Sequence, residues 1–147
     1  MIYKNISLLK KKDFFVRKDI NNIYRRNNSV KITEKGIHQY LLSLLITGQT
    51  NKLLETFEKY RKNIDINRQN KEGNTLLISS VKEGNIIIVR HLCERFADVN
   101  IKNNKGNTAL HYAIRYKYFK IADILNNYGA REDILNIHGH SPWDVSY

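Results

Sequence analysis

A period of 33 residues is the feature that most constrains how this chain can fold. Gly73, Gly106 and Gly139 lie at that spacing, and each opens a similar phrase, GNTLLISSV, GNTALHYAI or GHSPWDVSY. The phrases Asp65-Ile66-Asn67 and Asp98-Val99-Asn100 repeat at the same interval. Self-similarity at a fixed period of this length is the signature of stacked supersecondary units. The chain is therefore predicted to form a stack that offers a surface for binding, rather than a globule built around a catalytic pocket.

Helical periodicity inside each unit predicts an all-α fold. Thr33 and Thr108 each stand at the start of such a pattern and can cap it, because a threonine hydroxyl accepts N–H groups of the first turn. Helices are predicted over residues 34–47, 53–60, 75–83, 86–95, 108–117 and 119–128, and residues 141–144 begin another. The side chains predicted to point inwards in the second and third units are Ile88, Val89, Leu92, Cys93, Leu110, Ala113, Ile114, Ile121, Ile124 and Leu125.

The third unit resembles the ankyrin repeat. Its run Gly106-Asn107-Thr108-Ala109-Leu110-His111 is similar to the glycine turn and Thr-Pro-Leu-His of that family, with alanine in place of proline. Gly129-Ala130 and Ala97-Asp98-Val99-Asn100 resemble the end of the second helix and the loop that follows it. The resemblance covers residues 33–147. It implies an all-α solenoid with about two full repeats between divergent capping units, in which His111 bonds loop backbone between repeats.

The sequence departs from the family pattern at several positions. Lys117 stands where the family prefers glycine between the two helices, and Phe96 stands where it prefers the glycine that ends the second helix. The phrase after Gly73 lacks both proline and histidine, and the first unit has no glycine phrase. These departures are expected to change details of stacking and to leave the fold unchanged.

No constellation of residues in the sequence predicts catalysis. The glycines open turns and match no nucleotide-binding fingerprint, so no cofactor is expected. His138 and His140 could be offered as a metal pair, but no further ligands accompany them, so no metal site is predicted. His91 and Cys93 lie two apart on a helix and face different directions. The prediction is therefore a non-enzymatic protein without a small-molecule substrate.

The resemblance implies a protein-binding surface made of the loop tips and the exposed face of each first helix. Carried onto this chain, that surface comprises Lys71, Glu72, Asn74, Lys82, Glu83, Lys102, Asn104, Lys105, Asn107, Arg115, Tyr116, Ile137, His138 and His140. Arg115 and Tyr116 are favoured among them, because arginine and tyrosine are enriched at binding hot spots. Asparagine and lysine are heavily used throughout the chain, so single residues of these types are given little functional weight.

The net charge of +11 is concentrated before the first repeat. Residues 1–35 hold ten Lys/Arg and three Asp/Glu, so residues 1–32 are predicted to be a basic N-terminal arm and residues 33–147 the repeat domain. The arm has three open interpretations: a solubilising tail, a targeting sequence, or a contact with RNA. In the third, stacking would come from Phe14, Phe15 and Tyr24. The cations of that RNA contact would be Lys10, Lys11, Lys12, Arg17, Lys18, Arg25 and Arg26.

Two functions follow from these observations. The first is a protein–protein interaction scaffold, a structural subunit of a larger complex. The alternative is an RNA-contacting accessory subunit of a ribonucleoprotein particle, such as a mitochondrial ribosome. The single cysteine suits a reducing intracellular compartment, cytoplasmic or mitochondrial. No apolar run approaches the ~18 residues that a membrane span needs, so no membrane contact is expected.

Overall fold

The computed structural model describes residues 33–144, and the predicted basic arm lies outside the described residues. This part of the chain contains six α-helices and two short 3₁₀ turns, and no strand. The helices are α1 (Glu34–Ile46), α2 (Thr50–Tyr60), α3 (Leu76–Lys82), α4 (Ile86–Glu94), α5 (Ala109–Arg115) and α6 (Phe119–Asn127). The 3₁₀ turns are Arg61–Asn63 and Pro142–Asp144, and the second of them lies at the predicted helix start.

The six helices stack as three consecutive pairs in two layers. Within each pair the first helix packs on the second, as α1 on α2, α3 on α4, and α5 on α6. The first helices α1, α3 and α5 contact one another in order and form one layer, and α2, α4 and α6 form the other. The extensive contacts between units therefore join neighbours in the stack. The predicted all-α solenoid is confirmed.

Side-chain caps set where several helices begin. Thr33 Oγ1 accepts the backbone N–H of Gly36 at 3.2 Å, and Thr75 Oγ1 accepts that of Ile78 at the same distance. At the start of α4, Asn85 Oδ1 accepts the N–H of Ile88 at 3.1 Å. Each bond satisfies a donor that the first turn of a helix leaves without an intrahelical partner. The predicted cap at Thr33 is confirmed, and Thr75, predicted as the first residue of its helix, lies one position before α3 as the cap.

The core lies between the two helix layers and runs continuously through all three units. Every side chain that was predicted to point inwards is buried, and Leu92, Leu110 and Leu125 are fully buried. The first unit adds Leu41 and Leu53 to the same cluster. Burying a leucine contributes about 1.5–3 kcal/mol relative to leaving it in water, so this apolar stripe holds the units together.

The glycines of the 33-residue period are needed where one loop meets the next. Gly73 and Gly106 have φ angles of +76° and +73°, in the left-handed region. A Cβ atom would lie 2.6 Å from the backbone nitrogen of Asn104 at Gly73, and 2.8 Å from that of Ile137 at Gly106. Real Cβ atoms essentially never come so close to backbone. Glycine at these two positions therefore lets neighbouring loops approach to hydrogen-bonding distance.

Two non-glycine residues hold the left-handed conformation at the positions where the sequence departs from the family pattern. Phe96 has φ +63° after α4, and Lys117 has φ +59° between α5 and α6. Phe96 is 91% exposed, so its side chain gains little packing in return. The left-handed conformation costs a side-chain-bearing residue roughly 1–2 kcal/mol. The repeat geometry therefore imposes this strain on both residues.

Glycine at these positions is expected to stabilise the protein. Phe96→Gly and Lys117→Gly should each raise the free energy of unfolding by about 0.5–1 kcal/mol, because the strain removed exceeds the added flexibility of the unfolded chain. Urea denaturation followed by circular dichroism measures the change. Gly129→Ala is the reverse control, since Gly129 has φ +86° and open space around a Cβ, and it should lose about 1 kcal/mol. Equal or lower stability of both glycine variants would contradict the prediction.

Candidate protein-binding surface

The loops that join the units are each built on one asparagine. Asn70, Asn103 and Asn136 lie 33 residues apart. In each case Oδ1 accepts the backbone N–H groups of the second and the fourth residue that follow, at 2.9–3.2 Å. These bonds satisfy loop N–H groups that lie outside any helix and fix the same tight turn three times.

Amide side chains also join one loop to the next. Asn103 Nδ2 donates to Asn74 Oδ1 at 2.8 Å, and Asn136 Nδ2 donates to Asn107 Oδ1 at 3.0 Å. Asn74 and Asn107 are therefore only 3% and 4% exposed. Their predicted place on the exposed binding face is wrong, because the inter-loop hydrogen bonds draw both side chains into the stack.

A second series of side chains captures backbone across the units. Glu34, Asn67 and Asn100 also lie 33 residues apart. The side-chain oxygen of each accepts the backbone N–H of the residue 31 positions later, at 3.3, 2.9 and 2.8 Å respectively. This second series bonds the residue at which each loop begins, and the loop asparagines bond the residues that lead towards the next helix. The loop backbone is therefore held at both ends.

The loop tips project side chains from this fixed backbone and form what we call the loop edge, residues 71–72, 102–105 and 137–140. Backbone bonds join successive tips, from Asn104 N to Glu72 O at 3.0 Å and from Ile137 N to Lys105 O at 3.1 Å. Eight of the predicted contact residues are exposed there: Lys71, Glu72, Lys102, Asn104, Lys105, Ile137, His138 and His140. The loop edge is thus a rigid strip with a varied set of side chains.

The other four predicted contact residues lie at the opposite ends of α3 and α5. Glu83, Arg115 and Tyr116 are exposed, and Lys82 is half-buried. The structure therefore divides the predicted surface in two, and we call this second part the turn edge, residues 82–83 and 115–120. The cations pack over a ring, with Lys82 Nζ and Arg115 Cζ at 5.5 and 6.0 Å from the centre of the Tyr112 ring.

Sequence reasoning missed half of the turn edge, residues 117–120. Tyr116 packs against Tyr112 on one side and Tyr118 on the other, with ring centroids 6.1 and 5.7 Å apart. Tyr118 lies over Gly84 of the preceding unit, where a Cβ would approach its ring within 3.1 Å. The signal was present in the sequence as the alternation of cations and aromatic residues in Arg115-Tyr116-Lys117-Tyr118.

His111 joins two units through both nitrogens of its ring, as predicted from the resemblance. Nδ1 accepts the backbone N–H of Thr108 at 3.1 Å and lies 2.9 Å from Thr108 Oγ1. The proton is therefore assigned to Nε2, which lies 3.2 Å from the carbonyl oxygen of His140 in the next loop. Burial lowers the pKa of His111, which keeps the ring neutral and Nδ1 able to accept.

The first junction differs from the later ones. Within residues 33–144, Asn70 has no cross-loop amide partner like those of Asn103 and Asn136. Asn70 and His38 instead line a cleft of about 360 Å³ between α1 and the first loop. His38 is buried, and its Nε2 has no hydrogen-bond partner among the described residues. Burial, followed by the nearby charge of Arg68, lowers the pKa of His38.

The described residues offer little chemistry of the kind that catalysis or metal binding needs. Burial raises the pKa of the Cys93 thiol to about 11, so the thiol is neutral at pH 7 and a poor nucleophile. Within residues 33–144 no three His, Cys, Asp or Glu side chains come together as metal ligands. None of the described helices combines the length and the apolar character of a membrane span.

Comparison with known proteins agrees with the repeat geometry. Residues 37–136 match the family model for ankyrin repeats in three copies. A protein of Rickettsia felis named as an ankyrin repeat protein is 33% identical over 129 residues, which cover 81% of this chain and 57% of the relative. A protein of Acanthamoeba polyphaga mimivirus with a similar name is 41% identical over 80 residues, 51% of this chain and 18% of the relative.

A third relative carries a different name. A protein of Dictyostelium discoideum named as a serine/threonine-protein kinase is 28% identical over 163 aligned positions, which cover 99% of this chain. The chain spans only 19% of that relative. The match therefore reaches one part of a much longer protein, and the kinase name is said of that protein alone.

Removal of the central loop asparagine is expected to destabilise the stack severely. Asn103→Ala leaves two loop N–H groups, the amide oxygen of Asn74 and the hydroxyl of Tyr112 without their partner. An unsatisfied buried polar group costs about 1–3 kcal/mol, so we expect a loss of at least 3 kcal/mol in the free energy of unfolding. Asn127→Ala, at the exposed end of α6, is the matched control and should change it by no more than about 0.5 kcal/mol. Similar losses for both variants in urea denaturation would contradict this role.

Stability is expected to fall as the pH is lowered from 7 to 5. The folded state lowers the pKa of His38 and His111, so the unfolded chain binds protons that the folded chain does not, and unfolding is favoured below the usual histidine pKa of about 6.5. Each site contributes at most about 1.4 kcal/mol per pH unit. His38→Leu should weaken this dependence of Tm on pH, because leucine cannot take up the proton that the unfolded chain binds at His38. An unchanged pH dependence in His38→Leu would show that His38 does not carry it.

Proposed function

The chain belongs to the ankyrin-repeat family, and on that premise we propose that it is an adaptor that binds another protein through its loop edge, as a structural subunit of a larger complex. Ankyrin repeats are protein-interaction modules and are generally non-enzymatic, so no catalytic activity and no small-molecule substrate is assigned to the chain. A buried, neutral Cys93 is compatible with an intracellular reducing compartment, and we propose the cytoplasm or the mitochondrion.

The observation that carries this proposal is the rigid backbone beneath the exposed loop tips. Asn70, Asn103 and Asn136 fix the three turns internally, and amide and backbone bonds fix each turn to the next. Association normally costs free energy for ordering the loops at an interface. Here the fold has already ordered the backbone, so the exposed side chains of the loop edge are presented to a partner with much of that cost removed.

The exposed side chains of the loop edge also suit a polar interface. Lys71 projects from the first tip beside Glu72, Lys102 and Lys105 project from the second, and Ile137 is exposed on the third. Charged side chains at the rim of an interface set orientation and association rate, and an apolar one contributes burial. We therefore propose a partner whose contact surface carries more acidic than basic groups opposite the first two tips.

The alternative function places the chain on RNA through its basic arm. Its support is the net charge of +7 in residues 1–35. The seven arginine and lysine residues named above for the RNA contact lie outside the described residues. Association with a ribonucleoprotein particle remains a proposal. It requires that the full chain binds RNA in a salt-sensitive way and that removal of residues 1–32 releases it.

Reversal of charge on the loop edge should release the protein partner. Tagged full-length chain carrying Lys71→Glu and Lys105→Glu is compared with the parent chain by affinity purification and quantitative mass spectrometry. The partner should be recovered from the parent and reduced at least tenfold in the variant, because like charges at an interface are strongly unfavourable.

The matched control places the same two reversals at Arg61→Glu and Lys62→Glu, in the exposed 3₁₀ turn after α2 and away from the loop edge. That variant should retain the partner, and melting curves should show that all three proteins are folded. Equal partner recovery from both variants would remove the loop edge from the interface.

A further inference from the structure

Six consecutive exposed residues join α5 to α6. They are Arg115, Tyr116, Lys117, Tyr118, Phe119 and Lys120, three cations and three aromatic residues without an acid among them. A turn on a protein surface needs polar residues for solubility, but it does not need three aromatic rings in water. Folding alone therefore does not explain why three aromatic side chains of this turn keep a large part of their surface in water.

This turn carries most of the excess positive charge of the repeats. Residues 33–144 contain 16 Lys/Arg and 12 Asp/Glu, a net charge of +4, and the six residues of the turn supply +3 of it. Two exposed acids lie on the neighbouring segments: Glu83 follows α3 in the preceding unit, and Asp123 lies on α6, three residues after the turn. The rest of the array is close to neutral. The turn is consequently a place on the repeats to which a polyanion is attracted.

Two of the three rings of the turn are held in place by the fold. Tyr116 packs between Tyr112 and Tyr118, and Tyr118 rests on Gly84. On the outer side, Tyr116, Tyr118 and Phe119 remain 41%, 37% and 56% exposed. Rings that are fixed on one side and open on the other form a platform on which a planar group can stack with little loss of side-chain entropy.

We propose that this turn binds single-stranded nucleic acid, RNA or DNA. Phosphates would meet the cations of the turn, and bases would stack on its exposed rings, the combination by which single strands are bound without sequence preference. An acidic protein segment would satisfy the cations but would leave the rings in water. The site lies on the repeats, so it is independent of the basic arm and of the protein contact proposed for the loop edge.

The test separates the rings from the charges of the turn in the full-length chain. Fluorescence anisotropy measures binding of labelled 12-nucleotide oligo-uridine and oligo-thymidine. A ring variant, Tyr116→Ala with Phe119→Ala, keeps every charge and should weaken binding at least fivefold, because a stacked base contributes about 1–3 kcal/mol. Tyr116→Phe keeps the ring and should keep the affinity.

A charge variant, Arg115→Gln with Lys120→Gln, keeps every ring. Its binding should depend less on salt, with the slope of log K against log salt reduced by about 1.4 for two phosphate contacts on a single strand. The control, Arg61→Gln with Lys62→Gln, removes the same charge elsewhere and should keep both the affinity and the slope of the parent. Tighter binding of the oligo-uridine than of the oligo-thymidine would identify the ligand as RNA. Equal binding of the two would show that the turn accepts either nucleic acid.

Two outcomes would overturn the proposal. If affinity is salt-dependent but the ring and charge variants both match the parent, nucleic acid contacts the basic arm and not the turn. If a labelled peptide of twelve glutamates binds as tightly as the oligonucleotides and the ring variant binds all three probes like the parent, the turn is an acidic-protein surface. Melting curves of each variant confirm that it is folded.

Discussion

Hydrogen bonds from asparagine side chains are the interaction on which the rest of this structure depends. The helices of one unit are short, seven to thirteen residues, and isolated helices of that length are marginal in water. Apolar packing holds the helix layers together, but it does not fix how one loop meets the next. Asn103 does so by four hydrogen bonds, two to its own loop, one to Asn74 in the preceding loop and one to Tyr112 on α5. The loop edge is rigid because these directional bonds are repeated at the period of the fold.

The two ends of the array show what the repeated bonds contribute. At the first junction, Glu34 occupies the position that Asn67 and Asn100 hold in the later units, and its carboxylate accepts the backbone N–H. The later loops are also joined by a pair of asparagine side chains, whereas at the first junction a cleft lies beside His38 instead. At the other end, a Cβ at Gly139 would meet nothing within 4 Å, whereas at Gly73 and Gly106 it would collide with the next loop. A stack gains stability from nearest-neighbour interfaces. The end units therefore share fewer such bonds than the central loop around Asn103.

The sequence predicts the fold much better than it predicts the surface. Apolar side chains such as Leu110 and Leu125 recur with the helical period, and burial follows from that period without knowledge of the partner unit. Asn74 and Asn107 were misplaced because the resemblance assigns the loop positions to the exposed surface as a set, and it does not show which amide side chains bond between loops. Residues 117–120 of the turn edge were missed for another reason. The alternation of cations and aromatic residues is visible in the sequence, but the contact that fixes Tyr118 on Gly84 of the preceding unit is not.

The division of the surface into two edges follows from the helices that carry them. The α5 helix starts after Thr108, close in sequence to the loop edge, and ends at Arg115, which begins the turn seven residues or about 10 Å of helix further on. The two edges also differ in how they are held, one by amide hydrogen bonds and the other by packed rings and the left-handed Lys117. A ligand on one edge therefore need not disturb the bonds that shape the other.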